Sequence, residues 1–119
     1  MCGIAGIYSY RDSRISADIL KNMLGQIRYR GPDECGIYTH ENIGLGNVRL
    51  SIIDLASGQQ PMCNNDRSLW IVYNGEVFNY IELRNELEKK GVRFRTRSDT
   101  EVILRYYEEY GEACLQYFN

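Results

Sequence analysis

Three helical stripes alternate with β-patterned runs along this chain, and each stripe is opened by a small polar residue, which restricts the fold to a mixture of helices and strands. The first stripe, Leu20, Met23, Leu24 and Ile27, recurs at i, i+3, i+4 and i+7 behind Ser16 as N-cap, with Asp18 in the first turn. It predicts one helix that ends near Gly31-Pro32. The second opens at Asn79 and Glu82 in the N-x-x-E spacing of a capping box, turns Leu83 and Leu87 inward and stops at Gly91. The third opens at Ser98-Asp99-Thr100-Glu101, a second capping box, carries Val102, Ile103, Tyr106, Tyr107 and Tyr110, and closes at Gly111. A last amphipathic turn or two runs from Glu112 to Phe118.

Between the stripes the text is β-like. Residues 2–8 (CGIAGIY) read as a short, largely buried strand, because small and β-branched apolar residues run almost without a polar break. From Gly36 to Asp54, GIYTH and IGLGN are divided by His40-Glu41-Asn42 and followed by RLSIID, which predicts a hairpin or meander. SLWIVYNG (68–75) reads as a strand ending at the turn pair Asn74-Gly75, and VRFRT (92–96) alternates as a strand does. The sum is an α+β domain of about six strands and three or four helices, with no repeat, low-complexity tract or linker.

Charge and cysteine usage narrow the function. With 14 Lys+Arg against 16 Asp+Glu the net charge is −2, and the basic residues are scattered among acids, so no footprint for a nucleic-acid backbone or an anionic membrane exists. No apolar stretch approaches the roughly 18 residues of a spanning helix, and no basic n-region precedes an apolar core. A cytoplasmic protein with neither a nucleic-acid nor a membrane partner is expected. Cys2, Cys35, Cys63 and Cys114 lie far apart without a C-x-x-C pair, so reduced thiols are expected, and His40 as the only histidine excludes a multi-histidine metal site; no metal is assigned. Neither Cys35 nor Cys63 sits in a G-x-C-x-G elbow, which argues against a Cys–His hydrolase of the α/β type.

Cys2 directly follows Met1, and a residue that small ordinarily permits removal of the methionine, leaving a thiol and a free α-amine on one residue. An α-amine has a pKa near 7.7–8, placed to act as a base at neutral pH. A nucleophile carrying its own base needs no histidine. A cysteine at this position can also be chance, so the context decides.

That context is a series of motifs in order: Met1-Cys2-Gly3-Ile4-Ala5-Gly6, Arg30-Gly31-Pro32-Asp33, Arg49-Leu50-Ser51-Ile52-Ile53-Asp54, Gln60-Pro61, Tyr73-Asn74-Gly75-Glu76-Val77-Phe78-Asn79 and Ser98-Asp99-Thr100-Glu101-Val102. Across nearly all of its residues the sequence resembles the glutaminase domain of glutamine-hydrolysing asparagine synthetases, class II glutamine amidotransferases of the N-terminal-nucleophile hydrolase superfamily. RGPD with RLSIID and NGEVFNY favours this branch over the phosphosugar-aminating and purine-pathway branches.

The resemblance implies part of an αββα sandwich of antiparallel sheets with flanking helices, and glutamine as substrate. Cys2 would attack the side-chain amide, and a thioester would release ammonia before water regenerates the thiol. Asn74, through its side-chain NH2, and Gly75, through its backbone N–H, would receive the oxyanion. Arg49 would bind the α-carboxylate with its planar fork, and Asp99 the α-ammonium. Read singly, Arg49 is also compatible with a solvated strand arginine and Asp99 with a first-turn acid favoured by the helix dipole. Leu50, Ser51, Ile52, Ile53 and Glu76 would line the same pocket, and Arg30 with Asp33 would hold a turn near the nucleophile by an ion pair.

Two departures stand out. Asn47 replaces a histidine that many members carry two residues before the arginine of RLSI, which bears on local packing. The further strands that complete the sandwich, and an ATP-using synthetase domain, are not among these 119 residues, where neither an S-G-G-x-D-S nor a G-x-x-x-x-G-K-[ST] loop occurs. Residues 1–119 are therefore expected to be an incomplete glutaminase domain that needs no cofactor of its own, ATP and Mg belonging to a synthetase domain reached in cis or in trans. Alone, they are expected to expose apolar strand surface and to aggregate. The rival readings are a non-catalytic fragment, another N-terminal-nucleophile amidohydrolase, and the glutaminase part of an amidotransferase with a different acceptor.

Overall fold

The structure, a computed structural model, describes residues 2–11, 13–50 and 58–119. Along the chain run β1 (Gly3–Tyr8), α1 (Ala17–Gln26), a 3-10 turn (Arg28–Arg30), β2 (Glu34–His40), β3 (Ile43–Arg49), β4 (Met62–Cys63), β5 (Trp70–Ile71), α2 (Tyr80–Lys89), α3 (Asp99–Tyr110) and a 3-10 segment (Gly111–Gln116). The α+β class read from the sequence holds. The described residues divide into two compact units, 2–11, 13–50, 59–61 and 71–74 in the first, and 58, 62–70 and 75–119 in the second. Among the described residues no helix is long and apolar enough to cross a membrane.

The first unit is built on an antiparallel sheet in the order β1-β3-β2. Gly3 lies opposite Val48 and Tyr8 opposite Ile43, while Glu34 lies opposite Arg49 and His40 opposite Ile43. The expected hairpin is present, with Glu41 at φ 48 in its turn. Alternation along β3 sends Gly44, Gly46 and Val48 to one face. A Cβ on Gly46 would meet Leu24 Cδ1 at 2.8 Å, so the missing side chain lets α1 approach and bury Leu20, Leu24 and Val48. The other face carries Asn47 and Arg49. Gly36 shares a row with Asn47, and a Cβ there would collide with the Gln60 carbonyl oxygen, so residues 59–61 lie against this second face.

Two expectations are corrected in this unit. β1 is not largely buried: it is an edge strand whose burial alternates, with Ile4 47% and Tyr8 57% exposed. Helix α1 keeps Ser16 as N-cap, its Oγ accepting from Asp18 N at 3.2 Å, but ends at Gln26 before a 3-10 turn, and Met23 lies outside its buried stripe.

The second unit packs α2 on α3. Leu83 and Leu87 meet a core that includes Val102, Leu104, Tyr106 and Cys114. Tyr106 is fully buried, its ring 5.5 Å from those of Tyr110 and Tyr117, and its hydroxyl donates to Glu86 Oε2 at 2.8 Å. Burial, helped by that bond, pushes its phenol pKa well above the ordinary value. Burial alone likewise raises the Cys114 thiol.

Neither capping box closes. Asn79 stands at the N-cap of α2, yet its Nδ2 donates to Tyr117 O at 2.8 Å and its Oδ1 accepts from Asn119 N at 3.0 Å. Ser98 does cap α3, its Oγ accepting from Thr100 N at 3.1 Å. Glu101 turns away from Ser98 and accepts from Arg95 N at 3.0 Å, Thr96 N at 2.6 Å and Thr96 Oγ1 at 2.8 Å. Those backbone groups are thus committed to a side chain, which is why residues 92–96 form no strand. The expected strand over 68–75 shrinks to Trp70–Ile71 for a related reason: Tyr73 N donates to the Gln60 side chain and not to a neighbouring strand.

Candidate active site

Strand register places the candidate residues of the first unit. Gly3 opposite Val48 is the last pair of the β1–β3 ladder, and Cys2 and Arg49 follow it at that end of the sheet. The Cys2 thiol lies 3.6 Å from the Leu50 carbonyl oxygen. Arg30 of the RGPD motif donates its Nε to the Cys2 carbonyl at 3.1 Å, so it holds the residue of the candidate nucleophile itself. Asp33 N donates to the Arg49 carbonyl at 3.1 Å, and Pro32 bridges to the same residue, which fastens the RGPD turn to the end of β3.

Arg49 is not a solvated strand arginine. It is 5% exposed, and its Nη1 pairs with Glu34 Oε2 at 3.0 Å across the β2–β3 ladder. Two residues earlier on the same face, Asn47 is 1% exposed and donates to Gln60 Oε1 at 3.5 Å. The departure at position 47 is therefore absorbed by a partner. Gln60 Oε1 also accepts from Tyr73 N at 2.6 Å, so the residue before Asn74 is fastened to this face of the sheet. Asn74 itself is exposed.

The remaining candidate residues lie in the second unit. Asp99, at the first position of α3, is 7% exposed, and its Oδ2 accepts from Val77 N at 3.1 Å. Ser98 Oγ and Thr100 Oγ1 lie 3.5 and 3.4 Å from its Oδ1. Asp99 is thus a buried acid gripping the segment that begins with the exposed Gly75 and Glu76, and the first-turn reading describes its position without its partners. Of the residues expected from sequence, Cys2, Arg49, Leu50 and Asn74 fall in the first unit and Gly75, Glu76 and Asp99 in the second. Ser51, Ile52 and Ile53 lie outside the described residues.

Sequence reasoning missed Glu34 and gave Gln60 only as half of a Gln-Pro pair. Glu34 had a signal, since the hairpin register centred on Glu41-Asn42 sets it opposite Arg49. Gln60 had none, because its partners are 13 residues away in either direction.

Within the first unit, a thiol 3.6 Å from the Leu50 carbonyl and a buried guanidinium on the preceding residue suit a substrate that carries a carboxylate and an electrophilic carbon. The comparisons agree with this geometry. A family model described as a glutamine amidotransferase domain matches residues 1–119. Asparagine synthetase [glutamine-hydrolyzing] 1 of Bacillus subtilis is 47% identical over 117 residues, which cover 96% of this chain and 18% of that protein. The protein called asparagine synthetase [glutamine-hydrolyzing] 1 in Arabidopsis thaliana is 41% identical over 93% of this chain and 19% of its own length. A putative asparagine synthetase of Methanocaldococcus jannaschii is 42% identical over 100% of this chain and 26% of its own. The chain therefore spans between 18% and 26% of these relatives, and the family model matches it from residue 1 to residue 119: the chain belongs to the glutamine amidotransferase domain family.

Proposed function

We propose that this chain hydrolyses glutamine to glutamate and ammonia with Cys2 as nucleophile, the ammonia serving ATP-dependent synthesis of asparagine from aspartate. The observation that carries the reading is the Cys2 thiol 3.6 Å from the carbonyl of Leu50, the residue that follows buried Arg49, a cation that suits a carboxylate. The names of the relatives supply the acceptor chemistry, and the synthetase portion that they imply would act in cis or in trans with this one. Residues 1–119 would belong to a glutaminase domain of the N-terminal-nucleophile type, an αββα sandwich in its complete form. Such a protein would work in the cytoplasm.

The steps follow from the residues. With Met1 removed, the Cys2 amine takes the thiol proton, and Sγ attacks the side-chain amide carbon of glutamine. Asn74 Nδ2 and the Gly75 N–H receive the oxyanion. The proton passes to the departing nitrogen, ammonia leaves and a thioester remains. Water then adds to the thioester and releases glutamate with the free thiol. Arg49 holds the α-carboxylate and Asp99 the α-ammonium, while Leu50 and Glu76, together with Ser51, Ile52 and Ile53, line the pocket. No metal or cofactor of this chain's own enters any step.

The test is to treat the full-length protein with an electrophilic glutamine analogue and map the adduct by mass spectrometry. Labelling at Cys2, blocked by excess glutamine and absent when Met1 is retained, is the expected result. Labelling at Cys35, Cys63 or Cys114 instead would overturn it.

A further inference from the structure

The residue assigned above to the substrate carboxylate already has a carboxylate beside it. Glu34 Oε2 lies 3.0 Å from Arg49 Nη1, and strand register sets the two residues directly opposite each other in β2 and β3. The Arg49 side chain is 7% exposed and that of Glu34 is 30%. A guanidinium this deeply buried requires a compensating anion, and Glu34 supplies one. Cys2 lies just beyond the Gly3–Val48 pair, at the same end of the sheet as the Glu34–Arg49 pair.

We propose that Glu34 sets how strongly Arg49 receives a carboxylate ligand, acting as a built-in competitor for the guanidinium and making the site selective for substrates that can outbid it. The inference rests on the reading of Arg49 given above and goes beyond it, since Glu34 touches Arg49 and not the substrate; it is a positioning residue. Two carboxylates drawn to one guanidinium repel each other, and like charge disfavours the second anion whatever its origin. Glu34 is exposed enough to move its charge toward water when a ligand arrives, so the competition weakens binding without closing the site. A ligand that lacks the α-carboxylate feels neither the attraction nor the penalty.

Glu34→Gln keeps the shape and the acceptor for Nη1 while removing the charge. In the full-length protein, the rate of Cys2 labelling is measured with a diazoketone analogue of glutamine that retains the α-carboxylate, and with iodoacetamide, which has none. Labelling by the diazoketone at subsaturating concentration is expected to rise roughly three- to tenfold in Glu34→Gln, with the iodoacetamide rate unchanged and the KM for glutamine falling while kcat stays within about twofold. Slower or unchanged diazoketone labelling overturns the proposal, as does an equal change with both reagents, which would place the effect on the thiol or the fold. Glu34→Ser gives the same comparison if the glutamine variant does not fold. The two readings fail separately: a wild-type protein that the diazoketone does not label at Cys2 sinks the glutaminase assignment, whereas normal wild-type labelling that Glu34→Gln leaves unaltered sinks only the role of Glu34.

Discussion

Under the proposed mechanism Asn74 is the residue whose side chain receives the oxyanion. Replacing it by alanine is expected to lower kcat by roughly 10²–10³, because an oxyanion donor acts mainly in the transition state, with KM changing little. An unchanged kcat with raised KM in steady-state assays would show that Asn74 only positions the ground state. Glu101 has a structural role instead. It is fully buried and collects the Arg95 and Thr96 amides, with Arg105 Nη2 at 3.4 Å. Glu101→Ala leaves those donors without their acceptor, and since Arg105 keeps Glu108 at 2.8 Å, the expected loss is at the low end for a broken buried pair, about 3 kcal/mol by denaturant titration. Cys2, Arg49 and Asp99 stood out in the sequence because each is a chemical type that the proposed reaction would use, inside a recognisable motif. Glu34, Gln60 and Glu101 were less so, because their roles depend on which residue stands opposite in space.

At the level of elements, the hairpin that presents Arg49 is also what fixes the approach to Asn74. Gly36 in β2 backs onto the Gln60 carbonyl, and Gln60 Oε1 in turn holds Tyr73 N at 2.6 Å. Gly36→Ala forces that segment away, so it is expected to destabilise the first unit by roughly 1–3 kcal/mol and to lower kcat, whereas Gln60→Ala should lower kcat with a smaller stability loss. A melt together with a glutaminase assay separates the two; full activity in Gln60→Ala would show that Tyr73 is held by other means. The helices and the β2–β3 hairpin were read from periodicity because a stripe or an alternation is a local record of burial. The strands expected over 68–75 and 92–96 were misread for one shared reason. Their alternation is real, but the backbone amides of Tyr73, Arg95 and Thr96 are claimed by side chains from elsewhere, which no local pattern records.

Across the molecule, two buried groups of the second unit bear on its response to alkali. The second unit holds Tyr106, whose phenol is raised by burial and by its bond to Glu86, and Cys114, whose thiol is raised by burial. For both groups the proton is held more tightly when folded than when unfolded. Their contribution to stability is therefore complete below the unfolded pKa values, near 8.5 for a thiol and 10 for a phenol, and is lost as pH rises through the higher folded values. Residues 75–119 are expected to lose amide protection progressively above about pH 9 in hydrogen exchange corrected for its intrinsic pH dependence. Tyr106→Phe isolates the phenol: it should cost on the order of 1 kcal/mol at neutral pH, through the lost bond to Glu86, and flatten the decline above pH 10. Iodoacetamide gives an independent view, since exposed Cys35 should react in the native protein and Cys114 only as the second unit opens. If Tyr106→Phe and wild type lose protection in parallel above pH 10, the alkaline transition belongs to other groups, and the buried phenol does not govern the second unit's stability there.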